Sequence, residues 1–332
     1  MPSKKIAIIV TWFGKLPVYF PAWLISAESN IDIDFLVFSD QIICSESPNI
    51  KSYQLSMHEL LKMFQEKMGR IIKIQNSYKF CDCRPFFGIT FSDYLKEYDF
   101  WGYCDIDLVF GNIRKFVTDE KMSKYDRFYQ YGHLSIFRNV DTINHLYDLP
   151  GGIYTYDEIL CGEAKTTPEE YLGINRICQK NNIKWYTEID FADFSLKYEN
   201  RLELVHGRSN SKHQVFAWSN GEAYRLYEED NEIKKEEFVY IHWQKRKPII
   251  SGEIDHNSTL LIGPKTIEVS DKEIDVEKMD LINPCLNDLD RKQGAIEYKK
   301  KKRKEFLNAN FATKKMWIRQ KAYSLITKRT YE

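Results

Sequence analysis

Two Asp-x-Asp tripeptides, Asp32-Ile-Asp34 and Asp105-Ile-Asp107, are the residues best suited to chemistry in this 332-residue chain. In an extended strand residues i and i+2 point to one face, so either pair can present two carboxylates to one cation. Hard oxygen donors of this kind suit Mg²⁺ or Mn²⁺, often shared with phosphate oxygens. An ion held there neutralises the charge that builds on a departing phosphate. Position separates the two pairs. Asp32 and Asp34 open the run Ile31–Phe38, with the apolar residues after them, whereas Asp105 and Asp107 follow the aromatic run Phe100-Trp-Gly-Tyr-Cys104. Ligands of open α/β sheets gather at the carboxyl ends of strands. The second pair is therefore the candidate site and the first a solvated strand entry. A tripeptide this short recurs by chance, and without context a pair of solvated turn carboxylates is the better explanation of it.

The elements that must position this pair are legible as an alternation. Ile6–Val10 reads as a buried strand ending at Thr11-Trp12-Phe13-Gly14, and Ile31–Phe38 as a second ending at Ser39-Asp40. Met57–Met68 spaces its apolar residues as a helix does. Arg127–Tyr131, Leu134–Phe137 and Phe238–His242 read as further strands, and Glu169–Asn181 as a helix with Pro168 at its start. Short strands separated by amphipathic stretches imply an α/β domain with a mainly parallel sheet flanked by helices. The pattern runs over 1–250. Residues 251–290 are weakly periodic, a linker or small appendage, and 291–332 form a basic helical tail. Cys81-Asp-Cys83 has the wrong spacing for a zinc knuckle. An odd number of seven scattered cysteines argues for small core thiols in a reducing compartment rather than a disulfide framework.

Context strengthens the second Asp-x-Asp. The stretch Tyr98-Asp-Phe-Trp-Gly-Tyr-Cys-Asp-Ile-Asp-Leu-Val-Phe-Gly-Asn112 resembles the Asp-x-Asp region of GT-A-fold glycosyltransferases. The chain is similar to a bacterial family of glycosyltransferase-like proteins found with capsule and lipopolysaccharide genes. Four further blocks carry the resemblance over roughly 4–250: Ile8–Gly14, Tyr78–Gly88, Gly132–Asn139 and Tyr240–Lys247. It implies a GT-A-like fold in which Asp105 and Asp107 hold Mn²⁺ or Mg²⁺ and the sugar-nucleotide, with His242 completing the metal shell. Thr11, Trp12, Phe13 and Asp40 would line the nucleotide pocket. Lys79, Asp82 and Arg84 would approach the sugar or diphosphate, with Lys245 and Arg246 gripping the diphosphate. His133, Ser135 and Arg138 would face the acceptor. Read without the resemblance, His242 is a core histidine, Trp12 and Phe13 are core residues, and Lys79, Arg84 and Lys245 to Lys247 are surface charges.

An inverting transferase needs a general base, usually a carboxylate. Asp157 and Glu158, after the Gly151-Gly152 pair, are candidates, as are Asp190 and Asp193; each is equally well read as an ordinary surface or capping carboxylate. A late metal-binding histidine is common among retaining families and inclines the reading that way, although the residues leave the stereochemistry open. The implied partners are a nucleotide-sugar donor, in the first place a uridine diphosphate sugar, and a surface polysaccharide or lipid-linked glycan acceptor. The residues leave the oligomeric state open. A nucleotidyltransferase or sugar-nucleotide hydrolase is the enzymatic alternative, and a non-catalytic glycan- or membrane-binding protein the alternative of another class.

Charge is separated along the chain. From Arg291 onward there are fourteen Lys/Arg against three acids, while 1–290 hold 34 bases and 45 acids. Lysines and arginines interleaved with Phe306, Phe311, Trp317 and Leu325 over 298–329 read as a basic amphipathic helix. Such a helix lies on an anionic membrane surface, with about 1 kcal/mol per cation, or packs its aromatic face on the domain before it. Nucleic acid is not an expected partner, since no binding module is recognisable and the region before the tail is net acidic. No apolar run reaches the length of a membrane span, and the basic N-terminus has too short an apolar run for a signal peptide. A cytoplasmic location follows as the expectation, with peripheral attachment to the inner face of the membrane as its extension.

Overall fold

The computed structural model describes residues 3–74, 77–271 and 273–329, with side chains to 325. Its centre is a mixed, mainly parallel sheet. The first four strands are β1 (Ile6–Trp12), β2 (Ile33–Ser39), β3 (Ile50–Gln54) and β4 (Phe100–Cys104). After the Asp-x-Asp comes β5 (Leu108–Phe110), then β6 (Arg127–Phe128), β7 (Leu134–Arg138), β8 (Trp185–Tyr186) and β9 (Ala192–Asp193). The main sheet runs β3-β2-β1-β4-β7-β6-β8, and only β7 is antiparallel to its neighbours.

Burial on both faces explains why β1 is an almost continuous apolar run. Ile6, Ile8 and Val10 face one core cluster with Phe35, Val37 and Phe100, and Ala7 and Ile9 face the other with Leu36, Phe38 and Trp101. Helix α1 (Phe20–Glu28) lays Phe20, Trp23 and Ala27 on the first face. Helix α2 (Met57–Met68) lays Leu60 and Phe64 on the second, its start fixed by a Ser56/Glu59 capping box and its end by Gly69 in the left-handed region. A short helix, α3 (Tyr156–Leu160), is capped in the same way by Thr155 and Glu158.

Beyond β9 the architecture changes. Strands β10 (Gln214–Ser219), β11 (Glu222–Glu229) and β12 (Glu232–Phe238) form an antiparallel meander, and β13 (Tyr240–His242) leaves it to pair with β5 and β9. The meander continues with β14 (Ile249–Ser251), β15 (Leu260–Ile262) and β16 (Thr266–Val269), giving a six-stranded sheet of order β12-β11-β10-β15-β16-β14. Residues 251–269, expected as linker or appendage, thus pair directly with strands that precede position 250. Strands of three or four residues are too short to show a period in sequence.

Helices α4 (Val276–Ile282), α5 (Asp288–Asn308) and α6 (Phe311–Arg329) end the chain. Helix α5 has no buried residue. Helix α6 does not stand free: Met316 is buried in the core cluster that includes Ala7 and Ile9, and Gln320 donates to the Tyr154 hydroxyl (2.9 Å) and the Thr166 carbonyl (3.2 Å). Arg319 reaches Glu158 and the Ile153 carbonyl. Phe311, Ile318 and Leu325 remain exposed. The tail residues 330–332 lie outside the described residues. No helix among those described is long and apolar enough to cross a membrane.

Two local expectations differ from the structure. The helix expected over 169–181 is α-helical only at Arg176–Lys180 and is preceded by an irregular π-type turn at Tyr171–Asn175, because Gly173 takes non-helical angles and the Pro168 carbonyl accepts from Ile174 N (2.8 Å). Of the cysteines, Cys83, Cys104 and Cys178 are core thiols, whereas Cys44 is exposed and Cys81, Cys161 and Cys285 are half-buried.

Candidate metal and donor site

Strands β1, β2 and β4 end on the same edge of the main sheet, which brings Thr11–Phe13, Asp40 and Asp105 together along it. Asp105 is fixed as β4 ends: its N–H donates to the His133 carbonyl (2.9 Å). The chain then leaves the main sheet, and β5 joins β13 and β9 in a separate three-stranded sheet. The register of that sheet sets His242 opposite Leu108 on one side and Asp193 on the other. His242 Nε2 consequently lies 3.3 Å from Asp107 Oδ1, and Nδ1 lies 2.9 Å from Asp193 Oδ1. Asp105, Asp107 and His242 each offer one atom, and these atoms lie within 4.8 Å of one another.

This donor set suits a divalent cation. Two carboxylates and one imidazole are a hard-to-borderline O,O,N set of the kind Mn²⁺ accepts. A ligating histidine characteristically gives its other ring nitrogen to a carboxylate that fixes the tautomer, and Asp193 occupies that position. Gln244 Nε2 holds Asp193 in turn, at 2.7 and 2.8 Å from its two oxygens. With no cation beside it, burial would lower the His242 imidazole, but Asp107 and then Asp193 outweigh burial and lift it to about 10. Asp193 is brought down to about 2 against its own burial, chiefly by the bond to His242. His133 stacks on His242 with ring centres 4.3 Å apart and bonds the Tyr240 hydroxyl through Nδ1 (2.8 Å). Burial, then the charge on His242, push His133 down to about 3, so it stays neutral.

Arg84 is the second anchor. It is buried, donates to the Gly132 carbonyl (2.8 Å) and forms an ion pair with Asp105 Oδ1. Burial alone would raise the Asp105 carboxyl, and Arg84 more than reverses this. Lys79 and Asp82, expected beside the donor, form a buried pair (2.8 Å). Asp82 accepts from Thr166 N and Oγ1, both at 2.8 Å, and Lys79 donates to the Ala164 carbonyl (2.7 Å). They tie the turn at 77–86 to residues 164–167.

The remaining candidates are dispersed. Both oxygens of Asp40 accept from Gly14 N (3.0 Å), which locks the loop after β1 to the end of β2. Thr11, Trp12 and Phe13 are half-buried at that edge. Lys245 is exposed, whereas Arg246 turns onto the carbonyls of Ser195 (2.7 Å), Tyr198 and Trp243. Ser135 is buried and bonds the Tyr131 carbonyl. Arg138 is not brought to the site. It pairs with Phe100 at the start of β4 while Leu134 pairs with Cys104 at its end, roughly 13 Å away at the rise of a strand. Its guanidinium is held by Asp126 (2.7 Å). Glu158 is engaged by Thr155 and Arg319, and Asp157 is exposed on the same helix. Asp190 lies two residues before β9, with one carboxylate oxygen buried and unbonded.

Three residues near the site escaped sequence reasoning. Tyr19 is buried edge-on to Trp243 (5.3 Å), and its hydroxyl pKa is raised by burial, then Asp107 and Asp105. Glu169 and Glu170 press against Gly132, where an added Cβ would meet Glu170 Oε1 at 3.1 Å and Glu169 Cγ at 3.3 Å. Glu169 is 2% exposed with Oε2 unbonded, and burial, Asp82 and Glu170 push it up to about 8. Their only sequence signal was an acidic pair after Pro168, which resembled the first turn of a helix.

The chain belongs to a family of unknown function (DUF6625), whose sequence model matches residues 8–271. No curated protein matches it. Among solved structures, a glycosyltransferase involved in glycosylation of the major capsid of PBCV-1 shares 7% identity, over 55% of this chain and 81% of that one (TM-score 0.31). The galactosyltransferase LgtC, in complex with donor and acceptor sugar analogs, shares 11% over 56% and 75% (TM-score 0.32). Mouse xyloside xylosyltransferase 1 in its apo form shares 8% over 74% and 99% (TM-score 0.34). Likeness at these TM-scores carries no inference about the activity of this chain.

Proposed function

We propose that this protein is a metal-dependent glycosyltransferase that takes a sugar from a nucleoside diphosphate donor, in the first place a uridine diphosphate sugar. The observation that supports this reading is the meeting of Asp105, Asp107 and His242 within 4.8 Å at the carboxyl edge of the sheet, with Asp193 on the far nitrogen of the histidine. A Mn²⁺ or Mg²⁺ ion bound by these three side chains supplies positive charge to the leaving diphosphate. Asp193 keeps Nε2 of His242 aimed at Asp107, and Gln244 keeps Asp193 in place. Arg84 orients Asp105, leaving its second oxygen for the ion or the donor. Thr11–Phe13, at the end of β1, form the wall on which the nucleotide rests. The acceptor is a surface polysaccharide or lipid-linked glycan, a reading that follows from the sequence resemblance.

Thermal denaturation with a panel of nucleoside diphosphates and their sugars tests the proposal, with Mn²⁺ and then with chelator. Binding at 100 times the dissociation constant adds about 2.7 kcal/mol to stability, readily seen as a rise in Tm. A rise with one nucleotide that disappears on chelation is expected. Absence of a rise with every nucleotide would remove the transferase assignment.

A further inference from the structure

A second group of ligating side chains lies on the six-stranded sheet, away from the Asp-x-Asp. His213 immediately precedes β10, Asp280 is on α4, and Cys285 follows α4. His213 Nδ1 is 2.9 Å from both oxygens of Asp280, and Cys285 Sγ is 3.1 Å from Asp280 Oδ1 and 3.8 Å from the same ring nitrogen. The imidazole and the thiol can each donate to Asp280, and the thiol also lies 3.0 Å from the Lys212 carbonyl, so the three ligating atoms converge on one point. A tetrahedral zinc with bonds of 2.0–2.3 Å sets its donors about 3.3–3.6 Å apart, so the pairs at 2.9 and 3.1 Å would open and the pair at 3.8 Å would close by a few tenths of an ångström.

We propose that His213, Asp280 and Cys285 bind a zinc ion that fastens the C-terminal helices to the six-stranded sheet. A thiolate, an imidazole and a carboxylate together favour zinc over Mg²⁺ or Ca²⁺, which prefer oxygen alone. Nε2 of His213 faces Glu228 Oε2 at 3.8 Å, within ion-pair reach but beyond a hydrogen bond. The segment carrying Cys285 is fixed before any ion arrives. Asn283 is buried, accepts from Leu202 N (2.7 Å) and donates to the carbonyls of Leu202 and Gln214 (both 3.1 Å). Arg201 donates to the carbonyls of Asn283 (3.1 Å) and Pro284 (2.9 Å). The three ligands are half-buried, so an ion can enter, and water fills the fourth position. Binding releases the thiol proton and any proton on Nδ1 to solvent. The spacing of the three residues matches no zinc motif because the sheet, not a local turn, gathers them. The proposal is independent of sugar transfer.

Cobalt(II) titration of the full chain, freed of metal with chelator, tests it. A thiolate-to-cobalt charge-transfer band that saturates at one ion per chain and is bleached by zinc is expected in the wild type. The band should persist in Asp107→Asn, whose site has no thiolate, and vanish in Cys285→Ser. His213→Ala and the near-isosteric Asp280→Asn should each weaken cobalt binding at least tenfold, with folding checked by circular dichroism. A wild-type protein without the band, or a band that survives in Cys285→Ser, overturns the proposal.

Discussion

Asp34 and Asp107 each end an Asp-Ile-Asp tripeptide, yet their surroundings have little in common. Asp34 is the second residue of β2, and its carboxylate is taken up by Lys51 Nζ from β3 (2.7 Å) and by the Tyr98 hydroxyl (2.6 Å). Asp105 and Asp107 follow the last residue of β4, where the chain quits the main sheet. Their partners, Arg84 and His242, come from distant segments of the chain. Where a strand begins, the neighbouring strand supplies a cation and the charge is spent locally. Where strands end and their connections diverge, carboxylates keep oxygens for a ligand, and the fold must bring in the residues that hold them. The direction of the strand, rather than the tripeptide, makes one pair a candidate site.

Asp107→Ala should be the most damaging way to test the contrast. Metal-dependent donor binding, followed by calorimetry, is expected to fall at least 100-fold, as for loss of a direct ligand. Asp193→Asn comes next: it leaves all three proposed ligands in place and removes the carboxylate bonded to His242, so metal affinity should fall about 10- to 100-fold. Unchanged affinity would show that Asp193 is not an orienting group. Glu169→Gln probes the acid lodged beside Arg84. An acid raised to about 8 in the folded protein holds its proton more tightly there than in the unfolded chain. Its contribution therefore favours folding below the ordinary carboxylate range and is lost as pH rises through about 8. Wild-type stability relative to Glu169→Gln should fall between pH 5 and 8.5 by an amount on the order of 1 kcal/mol or more, measured by denaturant melts across pH. Asp34→Ala is the control at the other end of the sheet. It should leave donor affinity untouched and cost about 1 kcal/mol or less, as for a half-exposed ion pair. A loss of donor binding there would erase the distinction between the two pairs.

The sheet was legible because β1, β2 and β4 are long apolar runs buried on two faces, and the strand-end argument located Asp105 and Asp107 from residue order alone. His242 entered through resemblance, since a histidine in Phe-Val-Tyr-Ile-His-Trp has no local mark of a ligand. What brings it to Asp107 is the register of β13 against β5, which depends on chain separated by 130 residues. The same blindness hid the role of Asp193, read as a possible base and found on the imidazole. It also hid Glu169 and Glu170, whose surroundings are set by a non-helical Gly173 inside an apparently good helix. Arg138 illustrates the converse. A polar residue in a matching block was carried to the acceptor side, and antiparallel pairing places it at the far end of β7.

The docking of helix α6 on residues 153–166 through Arg319 and Gln320 bears on how the chain acquires its structure. Contacts between residues 154 to 166 apart in sequence raise the loop-closure cost that must be met before they stabilise anything. During synthesis the segment at 153–166 must wait for this helix before its covering is complete. A chain without this helix leaves the apolar surroundings of Met316 uncovered, a surface that quality-control chaperones and proteases recognise. Completion of this part of the core is therefore a late, long-range event in folding.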